Sequence, residues 1–356
     1  MGYSLCCKVI RSGEIKMEER LPLLITMGDP NGVGPEICLK LTAKKMNVNR
    51  PVAIVGDLRI LQKAATLLKI KKPLISVSKP EDVAKASRKG IVVLESGVTF
   101  SEKERPGKIS KKAGEASIGW VKASVEWCLQ KRASAVVTAP LCKEAVEKTV
   151  PGFQGHTEYI GEMCGDKEPV LCLVHGDWVI AHISTHVSLL EACARVKQER
   201  IVKAGVLLHS FLCRYKKMKN PLIGVSGLNP HAGEGGLFGR EEITEIKPAI
   251  GTLTKKKIKA KGPLPADVLF PQLRSGLFDG ALAMYHDQGH VVTKTLLFNL
   301  GKKRKTNGVN TTLGLPVLRT SVDHGTGFDI AWKGIADEQS LRDALELADL
   351  LQREEP

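Results

Sequence analysis

Short apolar runs recur along the chain, each closed by a polar or Gly/Pro turn, and several are then followed by a helical pattern; the run at 280–290 leads into a polar turn, "HDQGH". "LPLLITM" (21–27), "PVAIVG" (51–56), "GIVVLES" (90–96), "ASAVVTAP" (133–140), "PLIGVSGL" (221–228) and the start of "GALAMYHDQGH" (280–290) are of this kind. Apolar residues at every position, rather than at alternate ones, describe strands covered on both faces. The intervening patterns predict helices from about Pro35, near 57–69, at 114–131, 187–193, 195–216, 239–250 and 337–352. "EPVLCLVHGDWVIAHIST" (168–185) divides at "HGD" into two strands of a hairpin. The polar segment 99–114 reads as a loop or a crossing between lobes. Strands that alternate with helices predict an α/β fold with a mostly parallel sheet. A length of 356 residues suits two such units or one large one. In such sheets, reactive groups gather where the carboxyl ends of strands open into loops.

The bulk composition narrows the partners. A net charge of +15 favours anions, whether nucleic acid, acidic membranes or phosphorylated metabolites. Aromatic residues make up only 4%, which argues against stacking platforms for bases, so no nucleic-acid partner is expected. No apolar run reaches the ~18 residues that span a bilayer, so no membrane partner is expected either. Residues 1–20 read as a flexible leader without a signal-peptide core, with Met17 as an alternative start, and the protein is expected in the cytoplasm. The chain holds 9 cysteines and no CxxC pair, which suits free thiols in a reducing compartment.

Three histidines share one setting. His186, His231 and His286 each follow an apolar strand directly, in "VIAHISTH", "LIGVSGLNPH" and "ALAMYH". Strand ends open into one crevice, so the imidazoles could converge, and three neutral imidazoles form a first shell for Zn²⁺ with an open position. Asp287, Asp267 and Glu234 are candidates to fix their tautomers. A lone histidine at a strand end is more often just hydrogen-bonded; only the three equivalent settings together bring the metal reading level with that one. His182 lies inside its strand and is not enlisted.

A second group suits phosphate. "GFQGHTEYIGE" places Gly155, His156 and Thr157 ahead of a helical pattern, where free N–H groups and a hydroxyl attract an anion. Plain capping by Thr157, with Glu158 in the first turn, explains the same residues. Lys294, Asn310 and Arg319 would suit a phosphorylated substrate if they meet at one crevice. "GDPNGVGPE" lacks the GxGxxG spacing and reads as a tight strand-to-helix turn.

Taken together and in order, "MGDPNGVGPEI", "TAPLCKEAV", "GHTEYI", "THVSLLEA", "GLNPHAGEGGLFGREEI", "GPLPADVLF", "MYHDQGH" and "GVNTTLGLPVLRTSVDHGTGFDIAWKG" resemble the 4-hydroxythreonine-4-phosphate dehydrogenase family of vitamin B6 biosynthesis. The resemblance covers about residues 21–350. It implies an isocitrate/isopropylmalate-dehydrogenase-like fold, with two α/β lobes around a cleft. Lobe one would hold 21–140 and 310–356, and lobe two 141–309 with the interface of a homodimer. It implies a divalent metal (zinc, magnesium or cobalt) on His186, His231 and His286, one of them from the partner subunit. Substrate would bind to His156, Thr157, Lys294, Asn310 and Arg319. Asp267 and Lys294 would handle protons. NAD or NADP would lie along "HGTGFDIAWKG", touching His324, Gly325 and Asp329.

The implied reaction is oxidation and decarboxylation of 4-phosphohydroxy-L-threonine to 3-amino-2-oxopropyl phosphate. "MGDP", "LFGREE" and "HDQGH" also resemble a branch that acts on D-threonate or D-erythronate 4-phosphate. Two departures stand out. "LGKKRKT" (300–306) reads as a basic insertion, and Trp332 replaces a glycine of the wider superfamily pattern. Two other classes remain as readings of the residues: a nucleic-acid binder motivated by the charge, and a metal-dependent hydrolase of phosphorylated metabolites on the same three histidines.

Overall fold

The structure, a computed structural model, describes residues 20–100, 105–165, 168–297 and 308–352. The expected leader, apart from Arg20, and the insertion at 300–306 lie outside the described residues.

The described strands are β1 (Leu23–Thr26), β2 (Val52–Val55), β3 (Leu74–Val77), β4 (Ile91–Leu94), β5 (Ala135–Thr138), β6 (Val170–His175), β7 (Trp178–His182), β8 (Leu222–Ser226), β9 (Lys259–Leu264), β10 (Gly280–Ala283), β11 (Val309–Leu313) and β12 (Leu318–Val322). They form one 12-stranded sheet in the order β3-β4-β2-β1-β5-β12-β11-β6-β7-β10-β8-β9. The pairings β12–β11, β11–β6 and β6–β7 are antiparallel and the rest are parallel. The mostly parallel α/β arrangement and the hairpin at "HGD" thus both appear.

Burial explains the continuous apolar runs. Every residue of β1, β2, β4 and β5 is buried, because helices cover both faces. Leu23, Ile25, Ile37, Ile54, Leu61 and Trp120 are among the side chains fully enclosed. Capping residues set helix starts locally: Asp57 accepts from the N–H groups of Arg59 and Ile60, and Ser110 from that of Ala113.

Four strands escape the sequence pattern. β3 and β9 are the half-exposed edges of the sheet, where burial does not enforce an apolar run. β11 and β12 carry buried threonines in place of aliphatic residues. Thr311 Oγ1 donates to the Arg319 carbonyl at 2.9 Å and Thr320 Oγ1 to that of Ala344 at 2.8 Å, so these hydroxyls are satisfied.

One local expectation is corrected. "HDQGH" is not a polar turn but the start of a helix, His286–Leu297. Gln288 makes this possible by folding back: its Oε1 accepts from the Met284 N–H at 2.7 Å and its Nε2 donates to the Gly227 carbonyl at 2.9 Å. The carboxyl ends of β10 and β8 are thereby tied together. Among the described residues no helix is long and apolar enough to cross a membrane, and the seven described cysteines are free.

Candidate active site

A cavity of about 310 Å³ opens beside the ends of β5, β7, β10 and β12. It gathers nine of the residues singled out from sequence: His156, Thr157, His186, His286, Lys294, Asn310, Arg319, His324 and Gly325. Lys143, Glu158, His290 and Asp323 also line it. Neighbouring parallel strands account for the convergence. β10 lies between β7 and β8, so the loop after β7 and the helix after β10 leave the sheet side by side.

The phosphate-like group is built around Arg319, which is only 4% exposed. Its Nη2 and Nε donate to Thr138 Oγ1 at 2.8 and 3.2 Å. Its Nη1 donates to Thr157 Oγ1 at 3.3 Å and Thr312 Oγ1 at 3.4 Å. All these partners are neutral hydroxyls, and burial lowers the guanidinium pKa to about 10. A buried guanidinium hydrogen-bonded to hydroxyls, with the Glu158 carboxylate as a nearby charge, is suited to bind an anionic group. His156 sits beside it with an unpartnered, enclosed Nε2. Burial, reinforced by Arg319 and Lys143, holds the His156 imidazole well below its usual range, so the ring is neutral. Asn310 donates to Asp323 Oδ1 at 3.2 Å, and its own Oδ1 is buried and unpartnered. Burial raises the Asp323 carboxyl.

The second group is a run of imidazoles. His186 and His286 have ring centroids 5.5 Å apart. His186 Nδ1 lies 3.1 Å from Glu158 Oε1, and His286 Nδ1 lies 2.6 Å from Asp287 Oδ1. A carboxylate can only accept, so each Nδ1 carries a proton, and in the neutral ring the Nε2 then has the lone pair. Carboxylate–imidazole pairs of this kind orient metal-ligating histidines. Burial alone would raise the Glu158 carboxyl, but its hydrogen bond to His186 and the neighbouring charges hold it below the usual value. The donor set therefore fits a divalent cation, with two ligands from one chain. Among the described residues no group of three His, Cys, Asp or Glu is placed to hold a metal.

His231 stands elsewhere. It follows β8 on a turn in which residues 231–235 all have positive φ, with His231 itself at 54°. Such a left-handed run is costly for residues other than glycine and needs outside support. Glu242, 1% exposed, supplies it by accepting from the N–H groups of Leu228 and Asn229, both at 2.8 Å. The turn projects His231 outward, its ring 6.3 Å from that of Phe238, beside the exposed Leu237. Glu234 lies on the same exposed turn.

Asp267 begins the helix Ala266–Arg274 and lines a different cavity, of about 630 Å³, with Phe270, Tyr285, Asp287 and Val291. Asp329 lies in the turns after β12 and is not part of the cleft lining. There Trp332 does not project into the cleft. It sits at φ 59° and donates from Nε1 to the Pro30 carbonyl at 2.9 Å, pinning these turns to the "GDPNG" loop.

Glu158, Lys143 and His290 were not assigned from sequence. Glu158 is a first-turn acid of its helix, a position that explains an acid without any role in the cleft. Lys143 follows Pro140 beyond β5, the same strand-end setting that picked out the histidines. His290 stands four residues after His286, a signal that required the helix to be recognised first.

Comparisons with known proteins give the family of the chain. The family described as pyridoxal phosphate biosynthetic protein PdxA matches residues 47–348. A D-threonate 4-phosphate dehydrogenase of Cupriavidus necator is 40% identical over 339 residues, covering 92% of this chain and 97% of the relative. A 4-hydroxythreonine-4-phosphate dehydrogenase of Caulobacter vibrioides is 37% identical over 337 residues, covering 92% and 96%. The crystal structure of 4-hydroxythreonine-4-phosphate dehydrogenase from Klebsiella pneumoniae aligns with a TM-score of 0.79 at 34% identity, covering 94% of this chain and 100% of that one.

Proposed function

The chain belongs to the PdxA family of pyridoxal phosphate biosynthetic proteins, and from that premise we propose that it is a metal-dependent, NAD(P)-linked dehydrogenase of a phosphorylated four-carbon 3-hydroxy acid. The main reading is 4-phosphohydroxy-L-threonine, converted to 3-amino-2-oxopropyl phosphate. The observation that carries it is Arg319: a buried cation hydrogen-bonded to hydroxyls, next to two imidazoles that, when neutral, have their Nε2 lone pairs free. A second reading, D-threonate 4-phosphate, is favoured by the name of the relative at 40% identity.

Each residue has a task. Arg319, with Thr157, His156 and Lys143 around it, receives the phosphate, and the guanidinium exchanges weak hydroxyl contacts for charge-assisted ones. Glu158 and Asp287 hold His186 and His286 in the tautomer that ligates. These two imidazoles would hold a divalent cation such as zinc, magnesium or cobalt, which would supply Lewis acidity toward the substrate hydroxyl. The turns that carry His324, Gly325 and Asp329 would hold NAD or NADP, which would supply the hydride acceptor. Lys294 lies on the same cleft wall and exchanges the hydroxyl proton. Oxidation gives a β-keto acid; as its carboxylate leaves as carbon dioxide, the electron pair of the broken bond passes to the ketone as an enolate, which takes a proton at the former α-carbon to give the product.

The third ligand is His231 of a second copy. A homodimer is supported by the exposed turn that carries His231 beside Leu237 and Phe238, 75% and 48% exposed, and by the apolar cavity at Phe270 and Val291. Asp267 lines that same cavity and would act across the interface. The working compartment is the cytoplasm. Mixing the metal-loaded protein with each four-carbon acid phosphate and each nucleotide, and following nicotinamide absorbance, tests the reading. Phosphate release without nucleotide reduction would support a hydrolase and overturn it.

A further inference from the structure

Between the paired imidazoles and Lys294 stands a residue that the scheme above leaves without a task. His290 lines the cleft and is 7% exposed. It follows His286 by one helical turn and precedes Lys294 by another, so the three share one face of the helix His286–Leu297. Its ring lies flat on that of His286, with centroids 3.7 Å apart and planes 10° from parallel. His182 lies to the side of this stack, its ring 4.8 Å from that of His290 and 6.5 Å from that of His286.

His182 is fully buried and acts as a backstop. Its Nδ1 lies 3.4 Å from the Leu171 carbonyl, and its Nε2 faces Gly289. A Cβ at residue 289 would stand 2.3 Å from that nitrogen, so the glycine is what allows the ring to seat. His290 is thus held in a corner, stacked on His286 and bordered by His182, and this clamp limits how the ring can turn.

The clamp also fixes its tautomer. His290 Nδ1 lies 3.0 Å from the His286 carbonyl oxygen, which can only accept, so Nδ1 carries the proton. That leaves Nε2 with a lone pair and, among the described residues, no hydrogen-bond partner. Unlike the enclosed Nε2 atoms of His156 and His182, this nitrogen is not shut off from the cleft, so a ligand there can donate to a preset acceptor.

The surrounding charges say which part of a ligand that is. Lys143, Lys294 and Arg319 are donors and would take phosphate or carboxylate oxygens. A lone pair suits neither of those anions. We infer that His290 is a substrate-binding residue whose Nε2 accepts a hydrogen bond from the donor on the carbon next to the oxidised carbinol. In a hydroxy acid that donor is a hydroxyl, and in an amino acid an ammonium. The inference rests on the function proposed above and assigns the residue that recognises C2 of the substrate.

The test pairs a residue change with a ligand change. Binding of D-threonate 4-phosphate and of its counterpart with hydrogen at C2 is measured by calorimetry on the metal-loaded dimer. The wild type should prefer the compound with the C2 hydroxyl by about 10-fold, as expected for a donor lost opposite a committed acceptor. His290→Phe keeps a ring in the clamp without a lone pair, and should bind both compounds alike. His290→Leu provides the same comparison if the Phe variant does not fold. Cobalt(II) absorption of the loaded variants should match the wild type, since the residue does not ligate.

Equal binding of the two compounds by the wild type, or a preference that survives in a folded variant, would overturn the assignment. Absence of nicotinamide reduction would instead count against the dehydrogenase, while the binding ratio still decides on His290. A 4-phosphohydroxy-L-threonine arm shows whether an ammonium is accepted at the same place.

Discussion

The rings of His186 and His286 stand 5.5 Å apart although they leave different strands, β7 and β10, that run parallel and adjacent. Each ring is fixed by a carboxylate on Nδ1, which in the neutral rings leaves two matched lone pairs at the cleft wall. Replacing either ring by alanine should abolish divalent-metal binding by the purified protein. Elemental analysis after dialysis checks this, and a metal content equal to the wild type would refute the assignment.

Glu158 should matter through His186 rather than through the substrate. Glu158→Gln keeps the shape and weakens the acceptor, so metal affinity should fall about 10–100-fold. A chelator competition titration reads the change. An effect on substrate KM alone, with metal affinity intact, would place Glu158 among the substrate contacts instead.

Arg319→Ala should act mainly on substrate affinity. Loss of a charge-assisted contact of about 1.5–3 kcal/mol corresponds to a rise in KM of roughly 10–150-fold. Arg319→Lys should recover only part of it, because an ammonium cannot reach Thr138 and an anion in the same fork geometry. Unchanged KM for the phosphorylated substrate in Arg319→Ala would contradict the role.

Asp29 gives a pH dependence outside the cleft. It is fully buried, and burial raises its carboxyl to about 6 despite the hydrogen bond from the Asn31 N–H. Between the unfolded value of ~3.9 and about 6 the folded state binds more protons, so stability falls as pH rises through this window. Above it the loss is complete, on the order of 2–3 kcal/mol. Urea unfolding of Asp29→Asn should be flatter across the window than that of the wild type. A wild type whose stability rises there would show the sign to be wrong.

Much of this was legible because burial on both faces writes itself into sequence. β1, β2, β4 and β5 could be read directly, and with them the crevice that collects His186 and His286. Arg319 and Asn310 could be placed by residue type, but not their strands, since Thr311 and Thr320 satisfy themselves with local hydrogen bonds and do not look apolar. His290 was hidden because its spacing from His286 carries meaning only on a helix, and that helix depends on Gln288 bonding to Gly227 on another strand. The separation of His231 from the other two rings was invisible for a related reason. Strand-end position says which side of the sheet a residue leaves, but not whether a turn such as 231–235 then carries it outward.

The central claim is that His231 completes a site belonging to the other copy. His231→Ala and His286→Ala proteins should each lack bound metal and dehydrogenase activity as homodimers. When the two are unfolded together, refolded and mixed, hybrid dimers combine an intact His186–His286 pair from one chain with an intact His231 from the other. Metal binding and nicotinamide reduction should then reappear in the hybrid fraction. Persistent inactivity of that fraction, or full metal occupancy in the His231→Ala homodimer, would contradict the account.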